Sequence, residues 1–307
     1  MKALVLGVTF MDIKGYPFYK YDAVGTNKGR VITCQGGAAR NVAEDLAHLG
    51  VKVSFPAMLD KDPFGEALAS RLLEAGIDIS DAPRTEKDGT GMWLAVFNEK
   101  GDLAGSISKM PDVAPLEELL DKEGERLISG CDVVIAEFDT SERIARRTAA
   151  LARRYGKPLY VIVGNMTGVL ACRDLIPQVD CLIMNEIEAG KLFSLDLTNC
   201  EISDTEALLR HEADRLGLDR YIVTLGAQGC VYSDSSAGIS GRMPSLAETV
   251  VDTTGAGDAF FSAAVIALSK GLGVDKAALL GSKLSARVLA TLESACPEVE
   301  SGFFDLA

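Results

Sequence analysis

The feature that most restricts how this chain can fold is a regular alternation of short apolar runs and helical stretches from Asp132 onward. The apolar runs are VVIAEF, PLYVIV, CLIMN, RYIVTL and GCVYSD, and the helical stretches include SERIARRTAALARRYG, EIEAGKLF and the residues around 206–216. Apolar runs of strand length that are separated by helices are typical of parallel strands buried on both faces. The pattern therefore predicts a three-layer α/β fold, in which helices cover both faces of a mostly parallel sheet.

Both ends of the chain continue this alternation. The N-terminal part contains strand KALVLGV, a helix near 41–49, strand VKVSF and helix DPFGEALASRLLEAG, and the C-terminal part contains helices near 259–270 and 275–292. Two extended segments, about 12–33 and 90–108, interrupt the alternation with patterns that are typical of hairpins. We therefore expect a single domain over residues 1–307 that carries a small β-sheet lid formed by these two segments.

Composition argues against several classes of protein. The net charge of −13 disfavours nucleic-acid binding, because a surface that follows a phosphate backbone needs clustered Lys and Arg. No apolar run is long enough to cross a membrane, and the first strand begins almost at Met1, so no signal peptide is expected. Seven cysteines are present without a C-x-x-C pair, which favours reduced core residues in a cytoplasmic protein.

The segment VDTTGAGDAFF, residues 251–261, is the strongest indication of chemistry. The N–H groups of Gly255, Ala256 and Gly257, together with the start of the following helix, can form an anion site. We expect a side chain at Gly257 to strain this turn. Asp258 lies in the first turn of the helix, where a carboxylate can either cap the helix or accept a proton. A cap needs none of the neighbouring glycines and threonines, so the combination favours phosphoryl transfer.

The motifs of competing classes are missing. No G-x-x-x-x-G-K-[ST] is present, and G-x-G-x-x-G does not follow the first strand, which argues against a P-loop or dinucleotide-binding enzyme. With only His48 and His211, a histidine metal site is not expected.

The stretch DTTGAGDAFFSA resembles the signature of the ribokinase-like (PfkB) carbohydrate kinase family. Further elements of that family follow in the expected order: GGAARN at 36–41, the N-x-x-E pattern of Asn185 and Glu188, and TLGAQG at 224–229. The resemblance extends over essentially the whole chain. It implies a ribokinase-like fold and an ATP-dependent kinase that transfers the γ-phosphate to a hydroxyl group.

The resemblance also implies roles for individual residues. Asp258 would be the catalytic base, and the N–H groups of Gly255, Ala256 and Gly257 would stabilise charge on the moving phosphoryl group. The nucleotide and ion sites would comprise Asn185, Thr224, Gly226 and Gly229 for ATP, Glu188 for Mg²⁺ through water, and Asp252 for a monovalent cation such as K⁺. The acceptor site would comprise Asp12, Gly36, Gly37, Arg40, Asn41 and Asp139, with Glu137 as the alternative to Asp139.

The segments MDIKGY and GGAARN look closest to pseudouridine kinases, which phosphorylate the ribose 5′-hydroxyl of a C-nucleoside. Arg40 is the more specific sign, because many sugar-specific relatives carry a small or uncharged residue there. Gly164-Asn165-Met166 and Lys109 depart from that branch, so a ribokinase- or fructokinase-like kinase of a free sugar stays open. A catalytically inactive nucleoside-binding protein is a further alternative. Aromatic residues of the lid, which are Tyr16, Phe18 and Tyr21, suggest a homodimer formed through the lid. The alternative is that these aromatic residues only cover the substrate.

Overall fold

The computed structural model of the chain describes residues 1–86, 88–197, 200, 202–300 and 302–305. Its strands are β1 (Lys2–Leu6), β2 (Phe10–Pro17), β3 (Gly29–Gly36), β4 (Lys52–Ser54), β5 (Leu59–Asp60), β6 (Arg84–Thr85), β7 (Gly91–Phe97), β8 (Leu103–Lys109), β9 (Val133–Glu137), β10 (Leu159–Ile162), β11 (Leu182–Asn185), β12 (Arg220–Thr224), β13 (Cys230–Asp234) and β14 (Ile239–Met243). Its α-helices are α1 (Ala38–His48), α2 (Pro63–Glu74), α3 (Ala114–Ser129), α4 (Glu142–Arg154), α5 (Met166–Ala171), α6 (Glu186–Phe193), α7 (Ile202–Leu216), α8 (Ala256–Ser269) and α9 (Val274–Leu289).

Two four-stranded sheets form the central layer. The first has the order β10-β9-β1-β4 and is parallel throughout. The second has the order β11-β12-β13-β14, and only its β11–β12 pair is parallel. A parallel bridge between Tyr160 and Cys181 joins the two sheets, so the layer is continuous.

Helices cover both faces of this layer. Side chains of β1 alternate between two cores: Ala3 and Val5 pack with α1, α2, α8 and α9, whereas Leu4 and Leu6 pack with α3 to α7. β1 buries residues 3–6 on both of its faces, as a strand between two helical layers does. The predicted three-layer α/β architecture is confirmed.

A third sheet of four strands is formed by the two segments that the sequence predicts as the lid, and its order is β3-β2-β7-β8. β2 pairs antiparallel with β3 and parallel with β7, and β7 pairs antiparallel with β8. Because side chains alternate along a strand, the register places Asp12 and Trp93 on one face and Ile13, Leu94 and Ile107 on the other. We call the face of Asp12 the inner face of the lid.

Several element boundaries differ from the predicted ones. α8 begins at Ala256 rather than near 259, and α9 ends at Leu289 rather than near 292. The sequence pattern does not predict α3, because its narrow apolar stripe lies among many charged residues. None of the helices within the described residues is both long enough and apolar enough to cross a membrane.

Candidate active site

Several of the predicted site residues lie at the carboxyl ends of the central strands. Asn185 at the end of β11 lies in register with Thr224 at the end of β12. The loop after β1 packs against the start of α1, since a Cβ atom at Gly7 would lie 2.4 Å from the Cβ of Ala39. Ligands of α/β proteins bind along this edge of the sheet, so the arrangement agrees with a ligand site.

The turn before α8 determines where Asp258 lies. Gly255 occupies the cap position of α8 with a left-handed backbone, φ 80°. A Cβ atom at Gly255 would lie 2.0 Å from the carbonyl oxygen of Ser294, so only glycine fits there. Ala256 and Gly257 begin the helix, and Asp258 follows within its first turn. Asp258 therefore does not cap the helix.

The structure contradicts the expectation that a side chain at Gly257 would strain the turn. The backbone of Gly257 lies outside the left-handed region. A Cβ atom built on it would meet nothing within 4 Å. The expectation of strain is therefore wrong for Gly257 and applies to Gly255 instead. A side chain at position 257 would occupy open space in front of the first amides of α8.

The Asp258 carboxylate is partly buried and hydrogen-bonded. Asn41 Nδ2 donates to Asp258 Oδ2 at 2.7 Å. Burial raises the pKa of Asp258 to about 6, although the hydrogen bond from Asn41 and the charge of Arg40 act in the opposite direction. A carboxylate with a pKa near neutrality can take a proton from a hydroxyl group, as a general base requires.

A buried network supports Asn41 from behind. Ser294 Oγ lies 3.2 Å from Asn41 Oδ1 and 3.0 Å from Arg40 Nη2. Arg40 also donates to the carbonyl oxygen of Gln35 and pairs with Glu44 at 3.1 Å. The side chains of Arg40 and Glu44 are each only 1% exposed. Arg40 therefore lies behind the wall of the site, whereas the resemblance implies a direct contact with the acceptor.

A cavity of about 350 Å³, called the lid cavity below, separates the inner face of the lid from the body of the protein. Its walls are formed by Asp12, Lys14, Thr33, Cys34, Gln35, Gly36, Gly37, Asn41, Arg71, Asp252, Thr254, Leu292, Glu293 and Ser294. Arg71 is held in this wall by Glu44, whose carboxylate oxygens lie 2.9 and 3.0 Å from Arg71 Nε. The volume and the mixed charges suit a small polar molecule.

Asp12 faces the lid cavity beside two glycines. A Cβ atom at Gly36 would lie 2.5 Å from Asp12 Oδ1 and 2.6 Å from Oδ2, so glycine leaves room for the carboxylate. Gly37 caps α1 with φ 99°, and a Cβ atom there would lie 2.9 Å from the carbonyl oxygen of Val8. Burial raises the pKa of Asp12, and the charges of Lys14 and Arg40 oppose this rise.

Asp139 and its alternative Glu137 both lie outside the walls of the lid cavity. Asp139 Oδ2 accepts from Asn165 N at 2.6 Å, and its Oδ1 is buried without a hydrogen-bond partner among the described residues. Glu137 Oε2 accepts from Val8 N at 3.0 Å. Burial raises the pKa of Glu137 to about 8, and the charges of Asp139 and Asp258 add to the rise. Glu137 therefore lies close enough to respond to the charge of Asp258.

Asn185 and Glu188 form a capping box at the start of α6. Asn185 Oδ1 accepts from Glu188 N at 2.9 Å, and Glu188 Oε2 accepts from Asn185 N at 2.8 Å. Burial raises the pKa of Glu188 to about 7, the hydrogen bond from Asn185 N lowers it, and the charge of Asp258 raises it. Helix capping thus accounts for the conformation of both side chains, and one carboxylate oxygen of Glu188 is already engaged.

Thr224 ends β12 and leads into a tight turn that contains Gly226 and Gly229. Both glycines have positive φ, 54° and 90°. A Cβ atom at Gly229 would lie 2.0 Å from the carbonyl oxygen of Met243, so the packing of the turn requires this glycine. At Gly226 a Cβ atom would meet nothing within 4 Å. Gly226 therefore keeps an open surface beside Thr224, which a nucleotide could cover.

Asp252 lies in the wall of the lid cavity. Its Oδ1 accepts from Thr254 N at 2.8 Å. Burial raises the pKa of Asp252, but the hydrogen bonds from Thr254 and the charge of Lys14 outweigh burial and keep this pKa below its usual value. Asp252 is therefore ionised and can attract a cation. No group of three or more His, Cys, Asp or Glu in the described part of the chain could hold a metal ion by itself.

A second cavity, of about 420 Å³, lies near the end of α1. Its walls include His48, Lys270, Phe303 and Phe304. None of the predicted site residues lines it, so its larger volume does not make it the candidate active site.

Ser294, Glu44 and Arg71 belong to the site but carry no recognisable motif. The segment around Ser294, LESACPE, shows no pattern that indicates a functional role. Glu44 follows Arg40 at the i,i+4 spacing of helical ion pairs. That spacing is the one signal from which the buried pair could have been predicted.

Comparisons with known proteins identify relatives of the chain in sequence and in fold. Residues 2–298 match the model of the pfkB family carbohydrate kinase. The chain is 33% identical over 293 residues to guanosine-inosine kinase of Exiguobacterium acetylicum, which covers 95% of this chain and 96% of that protein. It is 26% identical over 260 residues to pseudouridine kinase of Escherichia coli (strain K12), covering 84% and 81%. Its fold is similar to that of Arabidopsis thaliana ribokinase complexed with ribose and ATP, with a TM-score of 0.77, 19% identity and coverage of 97% and 95%.

Proposed function

We propose an acceptor for this chain, which belongs to the pfkB family of carbohydrate kinases and is a phosphotransferase with an alcohol group as acceptor. The proposed acceptor is a ribonucleoside that receives the γ-phosphate of ATP on its 5′-hydroxyl. The observation that supports this most is the position of Asp258. Asp258 lies in the first turn of α8, and its carboxylate accepts a hydrogen bond from Asn41, which lines the lid cavity.

Asp258 is proposed to take the proton of the attacking hydroxyl group. The negative charge of the moving phosphoryl group is proposed to face the amides of Gly255, Ala256 and Gly257 at the start of α8. Unpaired amides and the positive end of the helix dipole stabilise such charge without a basic side chain. This suits a chain with a net charge of −13.

Asp258→Asn tests the base. Asn retains the size of the side chain but cannot accept the proton, so kcat should fall by about 10²–10⁴-fold. The KM for ATP should change little, because Asp258 is not proposed to bind the nucleotide. A folded variant with near-normal kcat would show that another group is the base.

Kinases of this family use ATP and typically Mg²⁺. ATP is proposed to lie over Thr224, Gly226 and Gly229, next to Asn185. Glu188 offers a carboxylate there, and no group of three or more His, Cys, Asp or Glu among the described residues could hold a metal ion by itself. This donor set fits Mg²⁺ that is held mostly by phosphates and water. When bound, Mg²⁺ would neutralise charge on the phosphates.

Asp252 is proposed to hold a monovalent cation. Its ionised carboxylate and its place in the wall of the lid cavity support this role. Activity in K⁺ should then exceed activity in a buffer of equal ionic strength without alkali ions, and Asp252→Asn should abolish the difference.

The ribose is proposed to bind at Asp12, Gly36, Gly37 and Asn41. A carboxylate can accept hydrogen bonds from two vicinal hydroxyl groups at once. Lys14 and Arg71 then border the space beyond the ribose. Both are donors that match carbonyl oxygens of a nucleobase, which a free pentose lacks.

Two kinds of nucleoside are candidates. The patterns around Asp12 and Arg40 favour pseudouridine. The 33% identity to a guanosine-inosine kinase, which extends over 95% of this chain, favours a purine nucleoside. Uracil, guanine and hypoxanthine all carry ring carbonyl groups, so the proposal covers ribonucleosides with an oxo-substituted base.

A panel assay tests the acceptor. ADP release would be measured with ATP, Mg²⁺ and pseudouridine, uridine, inosine, guanosine, adenosine, ribose or fructose. We expect a higher kcat/KM for an oxo-substituted nucleoside than for ribose or fructose. Turnover of a free sugar but of no nucleoside would favour the ribokinase- or fructokinase-like alternative. Nucleoside binding without any turnover would favour an inactive binding protein.

Asp12→Ala tests the place of the ribose. Loss of a buried charged hydrogen bond should raise the acceptor KM by about ten- to a hundredfold while the KM for ATP stays nearly constant. An equal rise in both KM values would argue against a ribose site at Asp12.

A cytoplasmic location and a homodimer formed through the lid are also proposed. Free thiols at all seven cysteines agree with a reducing compartment. The lid face opposite Asp12 carries exposed aliphatic side chains, which supports contact with a second copy.

A further inference from the structure

The hydrogen bonds behind Asn41 are all donated in one direction, from Arg40 toward Asp258. A guanidinium group has only donors, so Arg40 Nη2 must donate to Ser294 Oγ at 3.0 Å. The Ser294 hydroxyl group then has its own hydrogen for Asn41 Oδ1 at 3.2 Å. Because its oxygen is engaged, the Asn41 amide turns its NH₂ group to Asp258, where Nδ2 and Oδ2 are 2.7 Å apart. The Ser294 hydroxyl group, held by Arg40, therefore supports this amide orientation together with the Asp258 carboxylate, which can only accept.

Both ends of the network are held in place. Arg40 is 1% exposed, bonds to the carbonyl oxygen of Gln35 and pairs with Glu44. The backbone of Ser294 packs against Gly255, where a Cβ atom would lie 2.0 Å from the Ser294 carbonyl oxygen. The backbone of Ser294 thus lies directly against the turn that begins α8.

We propose that Arg40 and Ser294 are positioning residues, which hold the Asn41 NH₂ group toward Asp258 and thereby set the pH range in which Asp258 acts as a base. The proposal rests on the proposed function of Asp258 in phosphoryl transfer. A donated hydrogen bond stabilises the ionised carboxylate, whereas a flipped amide would present its oxygen to it and disfavour ionisation.

The other acidic groups around Asp258 ionise at higher pH than Asp258 does. Burial raises the pKa of Asp45 on α1, of Glu137 at the end of β9 and of Glu188 on α6, and the charge of Asp258 adds to each rise. These groups are therefore still protonated near pH 6, and burial is what opposes the ionisation of Asp258. The hydrogen bond from the Asn41 amide and the positive charge of Arg40 lower the pKa of Asp258 and counteract burial. Loss of the amide contact should therefore raise the pH at which the base ionises.

Ser294→Ala tests the proposal. The substitution removes the hydroxyl group that donates to the Asn41 oxygen. It leaves Asn41, Arg40 and Asp258 unchanged. We expect the acidic limb of the kcat–pH profile to move upward by about 0.5–1 pH unit. The same shift should appear in the titration of the Asp258 carboxyl carbon, followed by NMR on protein labelled with ¹³C-Asp and assigned with Asp258→Asn.

Ser262→Ala is the matched control. Ser262 Oγ donates to the backbone carbonyl oxygen of Asp258 at 2.8 Å and lies 3.4 Å from Asp45 Oδ2, and in the described part of the chain it has no hydrogen bond to Asn41, Arg40 or Ser294. The control removes the same kind of group next to the same residue, so the Asp258 titration should stay as in the parent protein. Ser294→Thr keeps a hydroxyl group and should return the acidic limb to the parent position.

The outcomes separate this proposal from the proposed function. An unchanged Asp258 titration in Ser294→Ala overturns the positioning role even if the kinase is fully active. Equal shifts in Ser294→Ala and Ser262→Ala also overturn it, because they would reflect a general disturbance around Asp258. An active Asp258→Asn variant overturns the base assignment instead, and the NMR titration still reports whether the network acts on Asp258.

Discussion

Opposing effects act on the carboxylate of Asp258. Burial raises its pKa to about 6, while Asn41 and Arg40 limit the rise. A base must be ionised, so kcat should increase with pH as Asp258 loses its proton and should be half-maximal near pH 6. The measurement is kcat at saturating ATP and acceptor between about pH 5 and 8.5. A kcat that stays flat through pH 6, or that falls as pH rises, would contradict the assignment.

Gly255 and Gly257 should respond differently to the same substitution. Gly255→Ala forces a Cβ atom against Ser294 at a left-handed backbone position, so the free energy of unfolding should fall by about 1–3 kcal/mol. Gly257→Ala meets no neighbouring atom, so stability should hold while kcat falls. Denaturant unfolding measures the stability of both variants, and steady-state kinetics measure their kcat. Each variant is the control for the other. Similar losses of stability in both variants would contradict the distinction.

The residues of the site differ in how far the sequence predicts them. Asp258 and Gly255 lie in one continuous motif, so their joint role follows from local order. Ser294 meets Asn41 across 253 positions of the chain, and no local pattern marks it. Arg40 was expected to contact the acceptor, and only packing reveals that its charge is turned toward Glu44 and Ser294.

At the scale of elements, Asp45 joins α1 to the segment after α9. Its side chain is fully buried, and its Oδ1 accepts from Cys296 N at 2.6 Å. Burial raises the pKa of Asp45 from 3.8 to about 8. Between these values the unfolded chain ionises while the folded protein keeps the proton, so stability falls as pH rises.

Asp45→Asn should remove this loss, because an amide oxygen can still accept from Cys296 N and does not ionise. We expect the Tm of the variant to exceed that of the parent protein, with a difference that grows from about pH 5 to pH 8. Thermal unfolding at several pH values measures it. A difference that is constant or shrinks over this range would contradict the burial of a protonated Asp45.

Elements buried on both faces were predicted best. The runs VVIAEF and CLIMN are short and apolar because helices cover the sheet on either side, and each contains a strand. The sequence pattern does not indicate α3, because charged residues surround its apolar side chains Leu116, Leu120, Leu127 and Ile128. It predicts a start of α8 near 259 instead of Ala256, because glycine and aspartate at the first positions of this helix resemble a turn.

At the scale of the whole molecule, the lid has two different faces. Tyr16 stacks on Phe97 with ring centroids 4.7 Å apart, and the register puts Tyr16 on the inner face with Asp12. Stacking thus occupies one of the aromatic residues expected to form a dimer. The outer face instead exposes Val31 (71%) and Ile107 (70%).

Val31→Glu combined with Ile107→Glu should convert a dimer into a monomer. The two new carboxylates would be buried in the interface next to the same carboxylates of the second copy, without a partner of opposite charge. Ser106→Glu is the control, since Ser106 precedes Ile107 and points to the opposite face. Light scattering coupled to size exclusion measures the mass. A parent protein that is monomeric at high concentration, or a double variant that stays dimeric, would contradict an interface on the outer face.

The hydrogen bonds of Asn41 have a consequence for how activity appears during folding. They span 217 positions to Asp258 and 253 positions to Ser294. Contacts of such sequence separation form late, after local helices and β-α units, because long loops must close first. When the protein refolds from denaturant, turnover should therefore return with the slowest phase, after the far-UV circular dichroism signal. Catalysis then reports completion of the whole chain topology, which secondary structure alone does not.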